Sequence, residues 1–333
     1  EQLTFRFSIN SLNQDGFREN QFLNKDDTNE RDELTGRLKV RWLPNDNWQI
    51  ETGLLYAEAD NGYDEFTLNN EDVDTYSDEP GRDEQETRGA SLRARYLGLD
   101  KVELTYTGQL TDTDSLYSYD SDWGAGYLDP AVIGTVFESG YFGFLQVLRE
   151  REVFSHELRL DSKDSQDALA WIDRWTLGLY HHQLDEFSDV DYRDEFGLGA
   201  ATSDYETESS ALFAQGSHDF TPNTRLILGL RYEYHQVDFA SNVTQDYFGS
   251  LTPGLTESTQ DDHLWGGKIT LEHDLTADQT LFASFTRGYK AGGANSGAFR
   301  LPGDPLTYDT ETLLNYEIGL RSHWFEGRLD SQV

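Results

Sequence analysis

The strict alternation of apolar and polar side chains is the feature that most constrains how this chain can fold. Leucine or tyrosine occupies every second position from Leu226 to Tyr234, and polar residues or glycine fill most positions between them. Residues 313–324 repeat the pattern. Successive side chains of an extended strand point to opposite faces, whereas an amphipathic helix needs apolar spacings of three and four. Each segment is therefore predicted to be a strand with one apolar and one polar face.

The same alternation predicts further strands along the rest of the chain. They cover residues 3–9, 34–42, 48–56, 90–96, 102–110, 154–160, 175–181, 264–275 and 281–289. Residues 211–220 predict one more, although the pattern leaves open which of its faces points outward. With the start of another strand near Arg328, the chain is predicted to contain about thirteen strands and no helix between them.

The connections between these strands alternate in length. Short ones lie at residues 44–47, 98–101, 221–224, 276–278 and 325–327, with a slightly longer one at 162–173. Long polar loops are predicted at residues 11–33, 60–86, 111–150, 184–206, 238–262 and 290–311. Outer-membrane barrels have short periplasmic turns and long extracellular loops. The alternation predicts an all-β, transmembrane antiparallel β-barrel in which the first strand runs outward.

Aromatic residues gather near both ends of the predicted strands. Trp42, Trp48, Tyr96, Trp175, Trp324 and Phe325 lie near short connections, and Tyr56, Tyr234, Trp265 and Tyr289 lie near long ones. Two aromatic belts are expected at the two headgroup levels of a membrane. A soluble β-sandwich is the alternative, but its outward face would be polar and its core aromatics would not collect at strand ends.

The charge balance excludes one class of partner. The chain has 62 acidic and 26 basic residues, a formal net charge of −36, whereas nucleic-acid binding needs a basic surface. Cysteine is absent, so neither a disulfide nor a thiolate metal site is possible. No apolar run approaches the ~18 residues that a membrane-spanning helix requires.

Two stretches in the last third of the chain are specific enough to indicate a family. Residues 279–297 read QTLFASFTRGYKAGGANSG, and residues 311–328 read ETLLNYEIGLRSHWFEGR. Together with RLILGLRYE at 225–233 and HELRLDS at 156–162, they resemble the barrel of TonB-dependent receptors. Such barrels have roughly twenty-two strands around a plugged lumen. The resemblance implies that residues 1–333 form an interior part of the barrel, with the N-terminal plug and the last strands lying outside this chain.

The resemblance also implies a function, a location and partners. Members import ferric siderophores or similar scarce, large solutes across the bacterial outer membrane, driven by TonB through the plug. Outer-membrane lipid and lipopolysaccharide would surround the barrel. A passive porin or a surface adhesin remains the alternative, and a plug with a TonB box upstream would decide between them. We expect no cofactor and no enzymatic activity, because no nucleophile elbow or metal-ligand spacing is present.

Candidate functional residues fall into two groups. Ligand contacts are predicted for aromatic residues of the long loops and for one lysine in a glycine-rich turn: Tyr63, Tyr117, Tyr119, Trp123, Tyr127, Tyr247 and Lys290. Contacts with the plug are predicted for charged residues of the polar face: Arg37, Arg41, Arg93, Arg95, Arg159, Arg231, Glu233, Lys268, Glu317 and Arg321. The alternative for the second group is a wetted lumen without specific contacts, as in a porin.

The acidic loop at residues 60–86 raises the question of calcium, which binds carboxylate oxygens. No stretch has the spacing of an EF-hand loop, so we interpret the loop as a solvated acidic surface and predict no metal site.

Overall fold

A computed structural model describes residues 2–67, 73–123, 142–163, 171–194, 197–246, 253–295 and 304–333. The strands are β1 (Leu3–Gln14), β2 (Glu19–Asn20), β3 (Arg31–Asn45), β4 (Trp48–Tyr63), β5 (Asp74–Thr75), β6 (Gly81–Tyr96), β7 (Val102–Asp120), β8 (Gly143–Ser162), β9 (Arg174–Asp194), β10 (Gly197–Thr221), β11 (Thr224–Gln245), β12 (Gly254–Thr276), β13 (Gln279–Lys290), β14 (Gly293–Ala294), β15 (Thr307–Tyr308), β16 (Glu311–Trp324) and β17 (Leu329–Gln332). Among the described residues, no helix is long and apolar enough to cross a membrane.

Thirteen of these strands form a single antiparallel sheet. Its order is β1-β3-β4-β6-β7-β8-β9-β10-β11-β12-β13-β16-β17, so each long strand pairs with the next long strand along the chain. Short strands β2 and β5 pair with each other, as do β14 and β15. The prediction of about thirteen antiparallel strands is confirmed, and the short connections fall where the sequence predicted them.

The register keeps one face of the sheet apolar from strand to strand. One row of directly paired residues crosses nine strands, β3 to β12, and consists of Trp42, Ile50, Ala94, Tyr106, Leu158, Leu179, Leu212, Tyr232 and Trp265. On this face Leu230 is 59% exposed and Ile318 is 76% exposed. Exposed leucine and isoleucine on this scale suit lipid rather than water. We call this the outer face and the opposite, polar one the inner face. The row also shows that Leu212 of β10 points outward. The even-numbered residues around it on this strand therefore do the same.

The lengths of the predicted loops are wrong in several places. Residues 184–206 were expected to be a loop, yet β9 continues to Asp194 and β10 begins at Gly197. Likewise, β7 continues to Asp120 and β8 begins at Gly143. Beyond Leu110 the outer face carries carboxylates, such as that of Asp112, so the apolar alternation disappears. The backbone ladder nevertheless continues, because hydrogen bonds between strands do not depend on that alternation.

One aromatic residue of the belt predicted near the long loops lies on the inner face rather than the outer face. Trp265 and Tyr234 are exposed on the outer face as predicted. Tyr289 instead contacts Arg231 and Glu233 on the inner face. The ladder between β12 and β13 ends at the pair Gly267 and Arg287. Beyond that pair β13 remains paired with β16 alone, and the Tyr289 ring lies over Gly266 of β12, where no side chain blocks it.

Candidate functional site

Five aromatic residues meet on the inner face, at the long-loop end of the sheet, beyond the aromatic belt near the long loops. We call Tyr63, Phe66, Tyr117, Tyr119 and Trp123 the aromatic cluster. Tyr63 is the last residue of β4, and both Tyr117 and Tyr119 lie near the end of β7. All three strand residues occupy odd positions, whereas the outward-facing residues of these two strands are even, so the three rings project inward.

The rings of the aromatic cluster contact one another mainly edge to face. The Tyr63 and Tyr117 centroids are 5.0 Å apart at an interplanar angle of 73°, and the Tyr63 and Tyr119 centroids are 6.5 Å apart. Phe66 lies 5.5 Å from Tyr119 and stacks on Trp123 at 5.3 Å and 17°. Such pairs stabilise one another by about 0.5–1.5 kcal/mol beyond the area that they bury. The cluster therefore forms a wall of ring faces and edges rather than separate side chains.

Two tyrosines of the aromatic cluster, Tyr117 and Tyr119, are neutral phenols. Burial raises the pKa of Tyr117, and its hydrogen bond with Tyr63 raises that pKa further. Burial also raises the pKa of Tyr119. Both hydroxyls therefore keep their protons at neutral pH and can donate hydrogen bonds. At the same height along β6 and β7, the outer face carries the charged residues Glu84 and Asp114. Because lipid does not accommodate such charges, the cluster lies beyond the lipid band.

A buried polar cluster fixes the chain directly after Tyr63. The Asp64 carboxylate accepts hydrogen bonds from Asn20 Nδ2 at 2.9 Å, Thr28 Oγ1 at 2.7 Å and Thr75 Oγ1 at 2.6 Å. Asp64 is 4% exposed, and a buried carboxylate is tolerated only when it is hydrogen-bonded in this way. These bonds join the connection between β1 and β3 to the connection between β4 and β6, and they hold the chain next to the ring of Tyr63.

Three carboxylates converge beside the aromatic cluster. Asp78, Asp120 and Asp122, here called the carboxylate triad, each place an oxygen within 4.8 Å of the other two. Asp120 Oδ1 accepts the backbone N–H groups of Asp122 at 3.0 Å and Trp123 at 3.1 Å. Burial raises the pKa of Asp120, the hydrogen bond from the backbone N–H of Asp122 lowers it, and the charge of Asp78 raises it.

The predicted ligand contacts are partly brought together. Tyr63, Tyr117, Tyr119 and Trp123 share the aromatic cluster. Lys290 lies elsewhere, 5.8 Å from the centre of the Tyr308 ring, at the end of β13. Tyr127 and Tyr247 lie outside the described residues. Binding of a ligand by any of these residues stays a prediction.

Phe66 belongs to the aromatic cluster but was not among the predicted ligand contacts. It lies in the acidic loop predicted at residues 60–86, where apolar and polar residues do not alternate, so no periodic pattern indicated its direction. Its position three residues after Tyr63 is the only signal in the chain that could have suggested a shared contact.

All ten residues predicted to contact a plug lie on the inner face, since each alternates with an outward neighbour. Several form ion pairs there: Arg41 with Glu51 at 3.6 Å, Arg95 with Glu103 at 2.5 Å, Arg159 with Asp161 at 3.0 Å, Arg231 with Glu233 at 2.7 Å and Arg321 with Glu272 at 3.0 Å. Contact with a plug stays a prediction for this group.

Cations are concentrated on the inner face of the first strands. The basic strip, as we call it, comprises Arg6, Arg37, Lys39, Arg41 and Arg93. Arg6 directly faces Lys39 across β1 and β3, and Glu51 lies between Arg41 and Arg93. Within the described part of the chain, the Arg41–Glu51 contact is the only ion pair of the strip. This cationic surface contrasts with the net charge of −36.

An apolar outer face, a polar inner face and an antiparallel order without crossovers define a transmembrane β-barrel. Residues 51–333 match the family model described as TonB dependent receptor-like, beta-barrel. The chain belongs to this family.

Solved structures of receptors share the fold. The ferric yersiniabactin uptake receptor FyuA from Yersinia pestis is similar with a TM-score of 0.76 and 16% identity, over 96% of this chain and 47% of that one. The siderophore receptor PiuA from Acinetobacter baumannii matches with a TM-score of 0.72 and 12% identity, over 99% of this chain and 52% of that one. The ferric-catecholate import receptor Fiu from E. coli K12 matches with a TM-score of 0.70 and 13% identity, over 99% of this chain and 53% of that one. The chain spans about half the length of these receptors.

Proposed function

We propose that this chain is part of the wall of an active importer in the outer membrane of a Gram-negative bacterium, energised by TonB. The imported solute is a ferric siderophore or a chelate of similar size. The aromatic cluster carries this proposal, because it faces the lumen at the outer end, where a solute arrives first. Receptors of the same fold are named for ferric siderophores.

The chemistry of the aromatic cluster suits a bulky chelate with flat, conjugated groups. Phe66 and Trp123 offer a stacked pair of ring faces, while Tyr117 and Tyr119 offer phenol donors to the oxygen atoms of a chelator. Aromatic side chains provide large contact areas at a low cost in conformational entropy. Tyr63 completes the wall on the β4 side.

The basic strip supports the second part of the proposal, contact with a plug inside the barrel. Like charges in direct cross-strand positions, such as Arg6 and Lys39, destabilise a sheet unless an anion lies between them. A plug segment with aspartate or glutamate side chains would neutralise them. TonB would act on the barrel through this plug, while lipid and lipopolysaccharide contact the outer face.

An uptake assay in the native host tests the proposal. Strains expressing the unmodified receptor, Phe66→Ala or Trp123→Ala are given ⁵⁵Fe bound to a catecholate, a hydroxamate or citrate. We expect uptake of one chelate class that requires TonB, and a loss of affinity of about tenfold in each variant. Phe187→Ala is the matched control, because Phe187 is an exposed aromatic residue on the outer face of β9.

The alternatives predict different outcomes of the same assay. A passive porin would admit small solutes in a strain without TonB, and Phe66→Ala would leave this uptake unchanged. A surface adhesin would import none of the three chelates although it is present at the cell surface. Either result would overturn the proposed function.

A further inference from the structure

The carboxylate triad is assembled from two distant parts of the chain. Asp78 lies in the loop before β6, whereas Asp120 ends β7 and Asp122 lies in the following turn. The loop is held in place on both sides of Asp78. Asn20 Nδ2 donates to the Ser77 carbonyl at 2.8 Å, and Glu79 pairs with Arg193 at 2.5 Å. The triad is therefore fixed by contacts that are independent of its own charges.

Two carboxylates of the triad, those of Asp120 and Asp122, are buried, whereas Asp78 is half-buried. Asp120 is 5% exposed and Asp122 is 2% exposed. Carboxylates removed from water within 4.8 Å of one another repel strongly unless a cation lies among them. Within the described part of the chain, neither Asp78 nor Asp120 forms an ion pair with a lysine or arginine.

A second observation points to a ligand at the same place. Ser77 is 3% exposed and lies beside Asp120, yet no described residue meets its Oγ at the distance and angles of a well-formed hydrogen bond. Oδ2 of Asp120 is also buried without a hydrogen-bond partner. Buried hydroxyl and carboxylate oxygens normally have partners, so two unsatisfied oxygens beside a carboxylate triad indicate a group that both of them bind.

We propose that the carboxylate triad and the Ser77 hydroxyl bind one calcium ion. The donors are all oxygen atoms, which favours a hard cation over the softer transition metals. Calcium accepts six to eight oxygen ligands in irregular geometry, including carboxylates that bind through both oxygens, whereas magnesium requires a near-ideal octahedron and keeps several waters. Three carboxylates on two separate segments, with one hydroxyl, suit calcium.

The ion would join the 76–79 loop to the turn after β7. Trp123 follows the triad directly and stacks on Phe66 at 5.3 Å. Calcium binding would therefore fix one edge of the aromatic cluster. The ion-binding site itself does not depend on the proposed transport function, since it rests on the triad alone.

Metal titration of the intact receptor in detergent tests the site. After removal of divalent ions, Tb³⁺ is added as a calcium analogue, and its luminescence is excited through the indole of Trp123. We expect a single saturable signal that Ca²⁺ displaces, and an affinity lowered by about tenfold or more in Asp120→Asn and in Asp78→Asn. Asp114→Asn is the matched control, because Asp114 is an exposed aspartate on the outer face of the same strand.

The same titration distinguishes the opposing outcomes. Heat-modifiable migration of each variant on a gel verifies that the barrel is folded, and Asp78→Asn alters the least buried member of the triad. Equal Ca²⁺ affinity in the unmodified receptor and in both folded triad variants would overturn the proposal. Displacement of Tb³⁺ by Mg²⁺ at the same concentration as Ca²⁺ would overturn the assignment to calcium.

Discussion

Tyr289 Oη donates a 2.8 Å hydrogen bond to the Glu233 carboxylate on the inner face, which joins β13 to β11 across β12. Arg231 donates to the same carboxylate at 2.7 Å and to Tyr289 Oη at 3.1 Å. The tyrosine ring crosses β12 at Gly266, where a Cβ atom would lie only 3.1 Å from its Cε1. Charge-assisted hydrogen bonds of this kind are stronger than neutral ones. The three side chains therefore stabilise the wall where the β12–β13 ladder ends.

Replacing Tyr289 with phenylalanine is expected to destabilise the barrel. The change removes the hydroxyl and leaves Glu233 with Arg231 alone, at a cost of about 1.5 kcal/mol. Urea unfolding in detergent measures the difference. Tyr316→Phe is the control, because the Tyr316 ring is 75% exposed on the outer face. An unfolding free energy for Tyr289→Phe equal to that of the control would show that the hydrogen bond contributes nothing.

The direction of most strand side chains could be predicted from the sequence. Lipid selects apolar residues on one face, and the period of a strand is two, so Leu230 outward and Arg231 inward follow from alternation alone. Tyr289 could not be assigned in this way: it still pairs with Thr312 of β16, but its β12 neighbour is no longer in register and its ring lies over Gly266, where no side chain stands.

The ends of the strands and the contacts of the loops could not be predicted. Above the lipid, both faces of a strand are polar, so the periodic signal disappears although the backbone pairing continues. The meeting of Asp78 with Asp120 depends on how two loops fold over each other. The local sequence around Asp78 or Asp120 does not predict that contact.

An arginine on the outer face tests the assignment of the two faces. Leu230→Arg is expected to destabilise the barrel by about 2–4 kcal/mol if position 230 lies near the bilayer midplane. Gln215→Arg, on the inner face of the neighbouring strand β10, is expected to have little effect, because that side chain reaches the polar lumen. Both are measured as unfolding free energies in lipid vesicles. Equal costs at the two positions would be incompatible with the faces described above.

The acidic outer face above the lipid is expected to lower stability at low ionic strength. Asp185 directly faces Glu152 on β8 and Glu206 on β10. Asp185→Asn should stabilise the barrel by about 0.2–1 kcal/mol, because like charges in cross-strand positions repel. Salt should reduce the gain through screening.

Asp189→Asn is the matched control for this charge effect. Asp189 lies on the same strand and face, but its cross-strand neighbours are Leu148 and Thr202. We expect a smaller change in the unfolding free energy than for Asp185→Asn. A gain at Asp185 that is independent of salt would rule out charge repulsion as its cause.

Gly81 controls how closely β6 and β7 approach beside the aromatic cluster. It pairs with Tyr63 across β4 and β6. A Cβ atom at Gly81 would lie 1.9 Å from the Ser118 carbonyl oxygen and 2.7 Å from Tyr119 Cα. Both are backbone atoms, so no side-chain rotation can relieve the overlap. A methyl group must therefore move the strands apart at Tyr119.

Gly81→Ala is expected to destabilise the barrel by about 1–3 kcal/mol, the usual cost of overpacking. If the aromatic cluster binds a ferric chelate as proposed, the variant should also bind it less tightly, because Tyr63 and Tyr119 would separate. Gly89→Ala provides the comparison on the same strand and face, since its new Cβ would lie 3.5 Å from Leu55 Cβ, an ordinary contact. Unfolding free energies and chelate affinities of both variants are measured in parallel. If Gly81→Ala lost stability and kept full affinity, the spacing of β6 and β7 would not determine the binding site.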